Sequence, residues 1–241
     1  MARQPRLVIP FQAHHVLQRG NNRQVVFCDN ADYQKYLDCL LAAAREYKVA
    51  IHAYVLMPNH VHILASPSDE SGLARMMQWI GRQYVPYFNH KYQRVGSLWQ
   101  GRFRTSLIDS ERYFLGCSRY IEHNPVRAML AVRLDDYLWS SYRHHVGAKV
   151  DPLITDHPLY WAMGNTPFER EAAYKDFAEQ GLATAELTQY NHAFAKGWPL
   201  TSAPFKASLE LRLQRRIGPA KRGRPAKVVD AGGAGAAAKI S

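Results

Sequence analysis

Cysteine is scarce: the chain of 241 residues holds only Cys28, Cys39 and Cys117. An odd number with no metal-type spacing argues against a disulfide framework and a thiolate zinc site, and points to reduced thiols in a cytoplasmic protein. Long apolar runs are missing as well. None approaches the roughly 18–20 residues needed to cross a bilayer. The opening Met1-Ala2-Arg3-Gln4-Pro5-Arg6 leads into no signal-peptide core. Acidic residues are in deficit, 20 against 31 Lys and Arg, which leaves a formal charge of +11. That balance favours a polyanionic partner, and without a membrane segment nucleic acid leads.

The deficit is sharpest in residues 71–108, which contain no Asp or Glu but carry Arg75, Arg82, Lys91, Arg94, Arg102 and Arg104. Interleaved with them are Trp79, Tyr84, Tyr87, Phe88, Tyr92, Trp99 and Phe103. Aromatic faces that stack bases, with cations along the backbone, hold single-stranded nucleic acid. Trp79 and Phe103 read better as core residues, and the rest of the span predicts nucleic-acid contact. In the tail, Lys221-Arg222-Gly223-Arg224-Pro225 resembles an AT-hook core, an extended segment whose arginines enter a narrow A·T minor groove. The arginines expected to contact DNA are therefore Arg75, Arg82, Arg94, Arg102 and Arg104, joined by Arg19 of the turn cluster Arg19-Gly20-Asn21-Asn22 and by Arg222 and Arg224 of the tail.

Periodicity predicts strands over 13–18, 49–57, 60–65 and 103–108, and helices over about 30–47, from 71 onward, and over about 110–124. Pro58-Asn59 predicts a hairpin, and Pro86 is expected to kink or end the second helix. The order β-α-β-β-α-β gives an α+β fold, the ferredoxin-like split βαβ antiparallel sheet with helices on one face. A catalytic domain over 1–150 is followed by a C-terminal helical extension over 151–217, with one helix or two around Gly181. A basic, Ala/Gly-rich and disordered tail over 218–241 completes the chain.

The chemistry centres on His60-Val61-His62. On a strand, alternate side chains leave by one face, so both imidazoles point the same way, two-thirds of a divalent-metal site. Tyr120 and Asn124 are four apart on a helix and share its face. Two imidazoles and an Asn carbonyl suit Mg²⁺ or Mn²⁺, and a neighbouring Tyr hydroxyl makes phosphodiester transfer through a phosphotyrosine the natural reaction. Spacing leaves alternatives open. A His pair in a strand is more commonly structural, Tyr113 rivals Tyr120, and Asn124 before Pro125 also reads as a helix stop. Glu122 should face elsewhere.

Taken in order, Leu56-Met57-Pro58-Asn59-His60-Val61-His62, Gly101-Arg102-Phe103, residues 119–128 and Trp139-Ser140-Ser141-Tyr142 resemble the REP-associated tyrosine transposases, within the single-tyrosine HUH group. His15-Val16 with Arg19-Gly20-Asn21-Asn22 fits the same pattern, and Gly197-Trp198-Pro199-Leu200 resembles the C-terminal part of one subgroup. The resemblance implies a divalent-metal-dependent single-stranded DNA endonuclease and strand transferase of bacterial, nucleoid-associated location. It implies palindromic DNA hairpins as partners, His60, His62 and Asn124 as metal ligands, Tyr120 as nucleophile and Tyr113 as structural. A monomer is favoured over a homodimer. Pro86 and His123 depart from the family pattern. A non-catalytic DNA- or RNA-hairpin-binding regulator and a hydrolase using water are the competing functions.

Overall fold

The computed structural model describes residues 6–214 and 216–218. Four antiparallel strands, β1 (His14–Arg19), β2 (Val49–Met57), β3 (His60–Pro67) and β4 (Arg104–Leu107), form one sheet in the order β2-β3-β1-β4. This is the expected α+β, split βαβ topology. Pro58 and Asn59 turn β2 back into β3, and the register sets Leu17 opposite His62 and Arg19 opposite His60. Because alternate residues share a face, His15, Leu17 and Arg19 lie on the same side as His60 and His62.

α1 (Asn30–Glu46) starts at Asp29, whose carboxylate accepts from the Asp32 N–H while the Asp32 carboxylate accepts from the Asp29 N–H. That reciprocal pair satisfies donors the first helical turn leaves open. α2 (Gly72–Lys91) lies beside it, and together they bury Tyr36, Leu40, Leu73, Met76, Ile80 and Tyr84 against Val16, Leu56, Val61 and Ile63 of the sheet. α2 continues past Pro86, so the helix does not end there. The ring removes one hydrogen bond on the exposed side of the helix, where water can satisfy the orphaned carbonyl. Beyond it, Phe88 is buried, the Tyr87 hydroxyl donates to Asp32, and Lys91 pairs with Asp29 and Asp32. These contacts hold the last turn in place.

The helices are not confined to one face. α3 (Ser110–Glu122) packs on the opposite side, setting Phe114, Cys117, Tyr120 and Ile121 against Ala53, Val55, Met57 and Leu64. The reason is visible in β2, where every residue but Ala50 is buried. A strand apolar on both faces needs cover on both. The aromatics of residues 71–108 are a second correction. Phe103 is buried, as expected, but Tyr84, Phe88 and Trp99 are buried in the core too, and the Tyr87 and Tyr92 hydroxyls donate to Asp32. The four buried rings offer no stacking platform, and Tyr87 and Tyr92 are half-buried beside Asp32 and Lys91.

After α3, a turn α4 (Asn124–Arg127) carries Pro125 in its first positions, so Pro125 opens a turn rather than ending all helix. Short helices α5 (Tyr142–His145) and α6 (Pro158–Trp161) lead to α7 (Pro167–Glu179), α8 (Thr184–Lys196) and α9 (Ala203–Leu213). Gly181, at φ +69°, divides α7 from α8. Gly116 on α3 has no Cβ to collide with the Tyr190 hydroxyl, so α8 comes close against α3. Both sheet edges are covered. The Leu56 N–H bonds Trp139 O and the Ser141 N–H bonds Tyr54 O on one side; the Leu200 N–H bonds Leu107 O on the other. Among the described residues no helix is long and apolar enough to cross a membrane.

Candidate active site

The face of the sheet beneath α3 and α8 gathers His15, His60, His62 and Tyr120. His15 Nε2 lies 2.7 Å from His62 Nδ1, and His60 Nδ1 lies 2.5 Å from Asn59 Oδ1. The His60 and His62 ring centroids are 5.0 Å apart. Engaging both Nδ1 atoms leaves the two Nε2 atoms for another partner, the arrangement in which a neighbouring group fixes a metal-binding imidazole. Burial keeps all three rings neutral. It pulls His60 down to about 4, helped by Arg19, takes His15 to about 3, helped by His60, and holds His62 well below its ordinary value.

Tyr120 stands over this group, its ring edge-on to His62 at 6.0 Å and to His15 at 6.3 Å. Its hydroxyl donates to Asn191 Oδ1 at 2.9 Å. Burial raises the phenol above its ordinary value, while the charges of Arg127 and Arg19 act to lower it. The Arg127 guanidinium carbon is 4.5 Å from the ring centre. Tyr113 sits elsewhere, with its hydroxyl accepting from Gln189 and its ring against Tyr190. Asn124 lies one turn beyond Tyr120. Its amide donates to the Tyr120 and Ile121 carbonyls, and its Oδ1 accepts from Arg127 at 2.7 Å. An amide oxygen has a second lone pair, so coordination of a metal would share that atom with Arg127. Among the described residues no three of His, Cys, Asp or Glu are placed to hold a metal. A divalent ion held here would have two neutral imidazoles as its protein donors, completed by an amide oxygen or water.

Four residues at this site were not singled out for it by sequence. His15 and Phe194 stack at 3.8 Å, so α8 of the C-terminal extension walls the site. Asn191 comes from the same helix, and Arg127 follows Asn124 at helical spacing. The β1 alternation placing His15 with Arg19 was the available signal for the first. Nothing local signals α8, whose Asn191 lies 71 residues beyond Tyr120. Glu122 does face away, into a buried cluster with Ser141, His145 and Tyr174.

The arginines divide. Arg19, Arg102 and Arg104 line one depression with Leu17 and Gln100, beside the imidazoles. Burial and the Arg23 and Arg104 charges push Arg19 below the ordinary guanidinium range, the mark of crowded positive charge that an anion would relieve. Arg75 pairs with Asp69, Arg82 is exposed on α2, and Arg94 donates to Gln24. α2 covers the other face of the sheet, so Arg75 and Arg82 do not join the His60 group. Arg222 and Arg224 lie outside the described residues.

The neutral imidazoles make stability depend on pH. His14 and His52, each held at about 4 by burial, add to His15, His60 and His62. The unfolded chain takes up protons near pH 6.5 where the native state does not, so this contribution is complete above about 6.5 and is lost as pH falls toward 4. Each fully shifted imidazole costs about 1.4 kcal/mol per pH unit in that window. Urea midpoints should fall steadily between pH 7 and pH 5; a flat profile would contradict the buried neutral cluster.

Residues 10–124 match the family model for IS200-like transposases. A protein of Haemophilus influenzae Rd bearing the name of a REP-associated tyrosine transposase is 24% identical over 110 residues, 42% of this chain. The match spans 62% of that relative's length, so less than two-thirds of it is represented here. Among solved structures, a REP-associated tyrosine transposase bound to a REP hairpin aligns with a TM-score of 0.52 at 21% identity. It covers 65% of this chain and 92% of the other, a likeness of fold.

Proposed function

We propose, from the match of residues 10–124 to the IS200-like transposase model, that this chain cleaves and rejoins single-stranded DNA beside palindromic hairpins. The observation that carries the reading is the placement of one phenol, Tyr120, edge-on to the neutral rings of His62 and His15, with Arg127 against its ring and the charge of Arg19 acting on its hydroxyl. The fold relative is bound to a REP hairpin, and a chain of net charge +11 suits the same class of ligand.

His60 and His62 through Nε2, with Asn124 through its amide oxygen, would hold Mg²⁺ or Mn²⁺, whose contribution when bound is to polarise a phosphoryl oxygen. The rest falls to the chain. His15 and Asn59 fix the ligand rings. The oxygen of Tyr120 attacks the scissile phosphorus, forming a tyrosine–5′-phosphate bond as the bond to the 3′-oxygen breaks. The phenolic proton is lost in that step and the departing 3′-oxygen gains one. Arg127 and Arg19 favour the phenolate and take up charge developing on the phosphate, worth most in a buried site. A second strand's 3′-hydroxyl then attacks the same phosphorus and releases Tyr120. His15 and Phe194 exclude water from the linkage, so that strand transfer wins over hydrolysis. The tail, through Arg222 and Arg224, contacts A·T-rich duplex, and the working form is a monomer.

A labelled hairpin oligonucleotide with single-stranded flanks tests this. With Mn²⁺ it should be cut and become attached to protein, and chelator should stop both. Binding without cutting would instead establish the hairpin-binding regulator, and cutting without attachment the water-using hydrolase.

A further inference from the structure

The pocket around Tyr120 is completed by α8, which lies beyond residues 10–124, the stretch that matches the family model. Tyr190 and Phe194, four apart on one helix face, meet the Tyr120 ring edge-on at 5.4 and 5.2 Å. Asn191 follows Tyr190, and its Oδ1 accepts from the Tyr120 hydroxyl at 2.9 Å. Tyr120 is buried whereas Asn191 is exposed, so this amide joins the phenol's oxygen to the solvent edge of the pocket.

α8 is anchored independently of Asn191. Glu186 accepts from Arg119 Nη2 at 2.9 Å and from the Tyr190 hydroxyl at 2.9 Å. Phe194 stacks on His15 at 3.8 Å. Arg119 and Tyr120 are neighbours on α3, so the ion pair and the Asn191 bond set α8 against the same turn. The bond turns the phenolic proton toward Asn191 and leaves a lone pair of the oxygen for phosphorus. An amide carries donors as well as an acceptor. A half-turn of its terminal torsion replaces Oδ1 by Nδ2, which can donate to the oxygen once the proton has gone. Hydrogen bonds to a charged oxygen are roughly twice as strong as neutral ones. This bond therefore strengthens as the attack proceeds, which is the condition for lowering a barrier.

Resting on the proposed function, we propose that Asn191 is a further catalytic residue, which orients the Tyr120 hydroxyl before reaction and donates to its oxygen as that oxygen attacks phosphorus. The phenolic O–H bond and the phosphorus bond to the 3′-oxygen break as the new oxygen–phosphorus bond forms. The phenolic proton passes to water at the solvent edge, and the departing 3′-oxygen takes one from water. Asn191 neither gains nor loses a proton. The C-terminal extension is thereby part of the active site.

The test measures single-turnover cleavage of a labelled hairpin oligonucleotide with Mn²⁺, together with hairpin affinity and the thermal midpoint. It also follows the Cζ resonance of Tyr120 in protein carrying ¹³C-tyrosine, identified by its loss in Tyr120→Phe. Asn191→Leu keeps the shape and removes both hydrogen-bonding atoms. It should move that resonance and slow cleavage by about 10- to 100-fold, the scale of one hydrogen bond to a charged group. Hairpin affinity should stay within about threefold, because the bond is internal to the protein, and the thermal midpoint should not fall. Asn191→Asp, which accepts but does not donate, should be at least as slow as Asn191→Leu. Asn191→Gln keeps both functions at an exposed position and should cleave within about threefold of wild type. Cleavage by Asn191→Leu as fast as wild type or faster, or by Asn191→Asp at the wild-type rate, would overturn the proposal. A wild-type protein that does not cut, while Asn191→Leu still moves the Tyr120 resonance, would sink the proposed function and leave the bond between Asn191 and Tyr120 standing.

Discussion

Tyr120→Phe should lower both DNA cleavage and covalent attachment by about 10⁴-fold or more, the scale on which removal of an attacking nucleophile is felt. The substitution is nearly silent for packing. The ring keeps its place against Tyr190, Phe194 and His62, and Arg127 keeps its position over it. Only the oxygen goes, and with it the hydrogen bond to Asn191. Affinity for a hairpin should stay within about threefold, since that bond is internal to the protein and a typical hydrogen bond is worth about 1 kcal/mol. Tyr113→Phe should leave cleavage within about twofold, because its hydroxyl meets Gln189 and no imidazole. Single-turnover kinetics on both variants decides the matter. Loss in Tyr113→Phe with activity kept in Tyr120→Phe would move the nucleophile about two turns back along the same face of α3.

Glu122→Ala should destabilise the fold by about 3–5 kcal/mol, as does breaking a buried charged cluster on one side. The carboxylate is 1% exposed and accepts three hydrogen bonds: 2.6 Å from Ser141 Oγ, 2.7 Å from His145 Nδ1 and 2.7 Å from the Tyr174 hydroxyl. These donors belong to the residue before α5, to α5 and to α7, so one side chain at the end of α3 ties the extension to the catalytic sheet. Alanine would leave the His145 and Tyr174 donors unpaired, while the Ser141 hydroxyl could still donate to the Tyr54 carbonyl. Glutamine keeps the volume and one acceptor, and should cost less than half as much. Urea unfolding of the two variants measures this. A Glu122→Ala protein within 1 kcal/mol of wild type would show that the cluster carries little of the stability.

Much of the sheet is legible from residues alone because the strand period is short and local. The alternation through His60-Val61-His62 puts both imidazoles on one face whatever the rest of the chain does. The same rule applied to β1 would have placed His15 beside them, had the pairing of β1 with β3 been drawn in register. The two-sided burial of β2 also had a signal, its nearly unbroken apolar run, which asks for helices on both faces. Pro86 misleads because a local rule about proline says nothing of the Asp29–Asp32–Lys91 contacts that hold the helix beyond it. The aromatics of residues 71–108 mislead for a similar reason. Composition cannot tell a stacking face from a core face, and here Tyr84, Phe88 and Trp99 fill the interior. Asn191 and Phe194 reach the site only through tertiary packing of α8, which no local pattern encodes.

The central claim is that Tyr120 becomes covalently joined to a 5′-phosphate. The most direct measurement is mass spectrometry of peptides from the protein after reaction with a hairpin oligonucleotide and Mn²⁺, followed by nuclease trimming. The account predicts a nucleotide adduct on the peptide carrying Tyr120, joined to the fragment downstream of the cut, and an upstream fragment ending in a 3′-hydroxyl that a polymerase can extend. Cleaved DNA with no adduct, or an adduct mapped to Tyr113, would contradict it.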